Sequence, residues 1–214
     1  MQLRSLAINT SLALIPVILA YSTLWVSKLP RRLCRNVAIG ALALLWLAFL
    51  PNTCYLLTEW RHFLEDMDAY NLFLRSRGDS HLLTRLFQMT VFYFAYSAFG
   101  MLAFTFAIRP MEHLAAKRGA TVWFWGVPFF VALSLGVYLG LVLRFNSWNL
   151  VNRPDEIWAA IVQVGARPKL AIFIVMFGLF LWAAYESLDI WIDALTERWS
   201  RLSGRRIHLG PKTS

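Results

Sequence analysis

Charge is scarce in this chain, and negative charge scarcest. Of 214 residues only 15% are Asp, Glu, Lys or Arg, with 12 acids against 21 bases. Soluble domains average about 25% charged residues, so the sequence lacks the material for an ordinary water-facing surface. Cysteine is nearly absent: Cys34 and Cys54 stand alone, neither in a CxxC pair. An apolar run separates them and assigns them to opposite membrane faces, which argues against a disulfide between them. A lone cysteine in apolar surroundings behaves as a small hydrophobe. Internal repeats, low-complexity stretches and a soluble domain are also missing. The net charge of +9 does not indicate nucleic acid, because the bases form no patch and no aromatic-interleaved groove. They sit in short loops and in the tail, as expected beside a bilayer.

What is present is grease. Apolar residues make up 58% of the chain and aromatic ones 15%, and the mean hydropathy is +0.53. They gather into runs free of Lys, Arg, Asp and Glu, near the ~20 residues that cross a hydrocarbon core. The fold expected is all-α: a polytopic transmembrane helical bundle of about five spans followed by an amphipathic C-terminal helix. The spans fall at about 6–26, 37–57, 86–108, 121–143 and 170–184, with residues 185–214 as amphipathic helix and basic tail. The first run is long for a signal peptide and lacks a small-residue cleavage site, so it reads as an uncleaved span. The stretch Ile157 to Val164 is too short to cross and reads as an interfacial turn of helix.

Orientation follows from the loops. Lys28, Arg31, Arg32 and Arg35 crowd one connection, and Arg109, Lys117 and Arg118 another. The segment after the second span instead holds Glu59, Glu65, Asp66, Asp68 and Asp79. The positive-inside rule then puts the amino terminus and both polar loops outside and the carboxyl tail in the cytoplasm, in the cell's inner (plasma) membrane. In the tail, Leu188, Trp191, Ile192, Leu195, Trp199 and Leu202 recur at three- and four-residue spacing opposite Asp189, Asp193, Glu197, Arg198 and Arg201. That helix is suited to the inner interface or to a partner.

Two constellations carry the polar chemistry. After Pro51, steps of about 100° per residue gather Asn52, Tyr55, Thr58, Glu59 and His62 within roughly a 120° arc. A polar stripe at membrane depth is costly unless it faces the bundle interior, water or a ligand. Glu59 and His62 also have the i, i+3 spacing that presents a carboxylate and an imidazole to one metal ion. They are the candidates for catalysis and for metal ligation, although one such pair supplies only two ligands, and no cofactor is specified. The second constellation leaves the membrane on the same face: Arg144 offers a guanidinium to a carboxylate or lipid phosphate, beside Asn146, Ser147, Trp148 and Asn149. Purely structural roles compete with these. Asn52 would cap the backbone freed by Pro51, Tyr55 and Trp148 would sit in aromatic belts, Glu59 would pair with Arg61 or Arg144, and Arg144 would snorkel. Between the constellations, Ala132, Gly136 and Gly140 form a small-residue ladder for close helix packing.

Together these motifs, Pro51-Asn52-x-x-Tyr55-x-x-Thr58-Glu59-x-x-His62 and Gly136-x-Tyr138-x-Gly140-x-x-x-Arg144-x-Asn146-Ser147-Trp148, resemble the prokaryotic membrane proteins grouped as domain of unknown function 1361. The resemblance covers most of the chain. It implies a membrane fold and a shared motif but no activity. This sequence departs from that pattern in Cys54, where a second proline is usual, in Glu59 for Asp, and in Asn149 for a common Asp. The first argues against a catalytic Cys54, and the last removes a carboxylate that a two-carboxylate mechanism would use.

Three functions are compatible with these residues. The preferred one is an outer-face site for a small polar ligand or lipid headgroup, lined by Asn52, Tyr55, Thr58, Glu59, His62, Arg144, Asn146 and Trp148. The second is an enzyme acting on a lipid-linked or envelope substrate. The third is an accessory subunit that meets a membrane partner through the Gly136/Gly140 face or the C-terminal helix.

Overall fold

The computed structural model describes residues 3–30, 32–58, 63–64, 67, 72–76, 78–119, 122–145 and 149–203. Among these there is no strand. The helices are α1 (Leu3–Val26), α2 (Arg32–Phe49), α3 (Pro51–Thr58), α4 (Leu72–Ser76), α5 (Ser80–Ala116), α6 (Val122–Leu141), α7 (Asn149–Asn152), α8 (Pro154–Gly165) and α9 (Pro168–Leu202). The expected all-α bundle forms.

Four helical stretches are long and apolar enough to cross a membrane: Ala7–Val26, Leu33–Leu56, Ser80–Ala116 and Pro168–Leu202. The fifth expected crossing is α6. Its 20 residues rise about 30 Å, and its apolar stretch Gly126–Leu141 is shorter than the four above. Large apolar side chains cover the outside of these helices, among them Leu33 at 80%, Leu44 at 70% and Phe94 at 69% exposure. Water would penalise that coat, whereas lipid tails accept it. Buried hydroxyls are answered by backbone, as a dry interior demands. Thr23 donates to the Leu19 carbonyl and Thr105 to the Met101 carbonyl.

Cross-helix contacts fix the topology. The Trp46 Nε1 donates to the Ala107 carbonyl at 2.9 Å, and the Ser97 hydroxyl to the Leu56 carbonyl at 3.4 Å. The α2–α3 segment therefore runs antiparallel to α5. A Cβ at Gly100 would come within 2.7 Å of the Leu56 Cβ, so glycine there lets α3 lie against α5. Likewise the Ser134 hydroxyl donates to the Ile174 carbonyl at 2.8 Å, and a Cβ at Gly178 would meet the Val131 Cα at 2.8 Å. With Gly126 facing Trp182, α9 is antiparallel to α6. Ala20 of α1 completes one core with Trp46, Leu50, Cys54, Phe104, Phe130 and Leu181.

The fifth expected span runs on unbroken into the C-terminal amphipathic segment, the two forming the 35 residues of α9. The short stretch Ile157–Val164 is helical as expected, within α8, with Ile157, Ala160 and Val164 buried while Trp158 and Val162 are exposed. Pro154 at its start and Asp155 and Glu156 in its first turn suit a helix amino terminus.

Candidate functional site

Pro51 has no backbone N–H and cannot continue α2 as an ordinary residue. The chain turns at Leu50 and restarts with Pro51 as the first residue of α3. Thr53, not Asn52, handles the break: its N–H and its hydroxyl both reach the Leu50 carbonyl, at 3.1 and 2.7 Å. Thr53, Cys54 and Leu56 are fully buried, and Asn52 and Tyr55 half-buried. Both cysteines are free, Cys34 exposed and Cys54 buried.

The stripe on α3 points at α6. A Cβ at Gly136 would lie 3.1 Å from the Pro51 Cγ, and one at Gly140 would overlap the Tyr55 hydroxyl. Pro51 and Tyr55 thus occupy the space that two absent side chains leave, on helices that run parallel. This corrects the reading of the Gly136/Gly140 face as a surface for another membrane protein. It is filled from within the chain, because a proline and an aromatic ring spaced i, i+4 match two glycines spaced i, i+4.

One turn beyond Gly140 the chain reaches Arg144. Val142 and Leu143 N–H groups both bond the Tyr138 carbonyl, and the Phe145 N–H bonds that of Leu139 at 3.1 Å. Arg144 takes the left-handed conformation, φ 58°. A left-handed residue at a helix end is usually glycine. A side chain there costs about 1–2 kcal/mol, and the Arg144 side chain is exposed. Among the described residues no ion pair to Arg144 is formed. Next to it, Leu143 helps to line a cleft of about 50 Å³ with Tyr138, Ala160, Gln163, Val164, Arg167 and Leu170. The second constellation therefore borders a cleft whose polar edge comes partly from α8 and from the start of α9. Gln163 and Arg167 had no motif to mark them.

The remaining expected site residues, Glu59, His62, Asn146 and Trp148, lie outside the described residues, as does the Thr58 side chain. The Glu59–His62 reading as metal or catalytic pair stays with them. Among the described residues no group of three His, Cys, Asp or Glu could hold a metal ion.

A second polar cluster lies at the opposite end of the bundle. Arg109 of α5 pairs with Asp189 at 3.2 Å and with Asp193, and Tyr185 donates to Glu112. In the sequence Asp189 and Asp193 fall on the polar face of the tail. Their i, i+4 spacing, together with a single Arg directly after the third span, was the only available signal.

A family model described as Protein of unknown function (DUF1361) matches residues 8–184. No curated protein and no solved structure matches the chain. The matched segment runs from α1 into α9, across both constellations and the Pro51 break, and on that evidence the chain belongs to the DUF1361 family.

Proposed function

We propose that this protein is a multi-pass protein of the inner membrane, amino terminus outside and carboxyl tail in the cytoplasm, whose outer rim binds a lipid headgroup or another small polar ligand. The observation that carries the reading is the end of α6. Tyr55 is seated on Gly140, and a turn later Arg144 holds a strained backbone and an exposed guanidinium. Strain of this kind persists where the surroundings impose it, and such residues cluster at functional sites.

The size of the neighbouring cleft favours a headgroup. About 50 Å³ accommodates a few waters, well below the ~300 Å³ of a typical small-molecule pocket. A ligand presented from the lipid, with its body in the bilayer and only its polar group at the rim, fits that volume. The described rim carries Arg144, Arg167 and Lys169, whereas Arg153 is engaged by Glu156 at 3.4 Å. The ligand group would therefore be anionic, and guanidinium suits phosphate.

Arg144→Gly tests this, because glycine keeps the left-handed backbone without strain and removes only the cation. Native mass spectrometry of the detergent-purified protein, titrated with phosphatidylglycerol, should show lipid adducts on the wild type. Retention should fall at least about tenfold in Arg144→Gly, the ~1.4 kcal/mol that a modest charge-assisted contact supplies. Equal retention in a variant at least as thermally stable as the wild type would sink the proposal.

A further inference from the structure

The cleft beside Arg144 is assembled from three segments that only the tertiary structure brings together, the end of α6, the middle of α8 and the start of α9. Leu143, Ala160, Val164 and Leu170 make its aliphatic part, and Tyr138, Gln163 and Arg167 its polar part. Helical steps of about 100° put Ala160, Gln163 and Val164 on one side of α8. Trp158 and Val162 fall on the other side and are exposed. All three polar side chains can donate hydrogen bonds, and no carboxylate lines the cleft among the described residues. Such a lining suits acceptor oxygens.

Two cations border this one cleft. Arg144 follows the lining residue Leu143, and Arg167 is itself part of the lining. Both are exposed, and among the described residues neither pairs with an acid. Like charges repel, so a single negative charge set between them leaves one guanidinium unmatched. A phosphodiester headgroup offers one charge and must also place its head alcohol, for which a cleft of about 50 Å³ leaves little room. A terminal phosphate carries about −1.5 to −2 at pH 7 with three acceptor oxygens. Nothing lies beyond it to be accommodated, and two guanidinium forks can share its oxygens.

We infer that the cleft takes a terminal phosphate on a lipid chain, a phosphomonoester or diphosphate rather than a phosphodiester. Arg144 and Arg167 divide its oxygens, and Leu143, Val164 and Leu170 meet the start of the chain. This rests on the reading of the rim as a headgroup site and names the headgroup.

Native mass spectrometry of the full-length, detergent-purified protein tests it, with phosphatidic acid and phosphatidylglycerol of matched acyl chains. The wild type should retain phosphatidic acid at least about tenfold better, the effect of one added charge-assisted contact. That preference should grow between about pH 5 and 8, as the monoester loses its second proton near pH 6. Arg167→Gln should bring the two lipids within about twofold of each other at an unchanged melting temperature, whereas Arg144→Gly should weaken both. Inorganic phosphate in large excess should displace neither. Equal retention of the two lipids by the wild type would overturn the inference while leaving the rim site in place, provided that Arg144→Gly still weakens phosphatidylglycerol. Retention of both lipids untouched by Arg144→Gly would remove the rim site itself. A preference that survives Arg167→Gln would overturn the role of Arg167, and displacement by inorganic phosphate would overturn that of the lipid chain.

Discussion

Gly140 and Gly178 are both spacers, but what stands against them differs. At Gly178 an added Cβ meets backbone, the Val131 Cα at 2.8 Å and the Phe130 carbonyl at 3.0 Å, and backbone in a packed helix pair has nowhere to go. At Gly136 the nearest atom is the Pro51 Cγ at 3.1 Å, a smaller trespass. Overpacking of this kind costs about 1–3 kcal/mol. Gly178→Ala is expected at the top of that range and Gly136→Ala at the bottom, read as the order of melting temperatures in one detergent. Gly140→Ala displaces the Tyr55 ring, so its effect should shrink in a Tyr55→Phe background. Additive losses would show that ring and glycine are not in contact. The sequence announced Gly136 and Gly140 by their four-residue spacing. Gly100 and Gly178 stood in no ladder, because each faces a different helix.

At the scale of the element, α5 and α9 are joined near one end by charge and α6 and α9 along their length by packing. The side chains of Arg109, Asp189 and Asp193 are 20%, 14% and 25% exposed. Arg109→Ala would leave two carboxylates near each other without their shared cation. Breaking a fully buried pair costs about 3–5 kcal/mol, and partial exposure here reduces that to about 2. The control is Arg153→Ala, whose pair with Glu156 is 63% and 48% exposed and should be worth under about 1 kcal/mol. Equal losses for the two variants would remove the clamp from the account of α9. Ser134→Ala, which deletes one hydroxyl bond between α6 and α9, is expected to cost about 0.6 kcal/mol.

The whole molecule is a bundle whose polar residues gather at its two ends. Its proposed orientation has a direct readout. Cys34 is exposed beside the basic first loop, and Cys54 is fully buried in α3. A membrane-impermeant thiol reagent is expected to label Cys34 in inside-out vesicles and not in intact cells, while Cys54 stays unlabelled in both until the protein is unfolded. Labelling of Cys34 in intact cells would reverse the orientation and move the Arg144 site to the cytoplasmic face.

The all-α class, the apolar runs, the Pro51 break and the basic loops were determined by the sequence itself. Each depends on one residue type meeting one solvent, and hydrocarbon penalises charge and free backbone wherever they occur. The face of α3 that carries Tyr55 could also be read, since helical steps are local. What that face meets could not. Tyr55 on Gly140 and Arg109 on Asp189 and Asp193 join residues some eighty positions apart, and periodicity holds no information about which of several apolar helices will be the neighbour. Tertiary packing made that choice, and with it turned an apparent outward ladder into an internal contact.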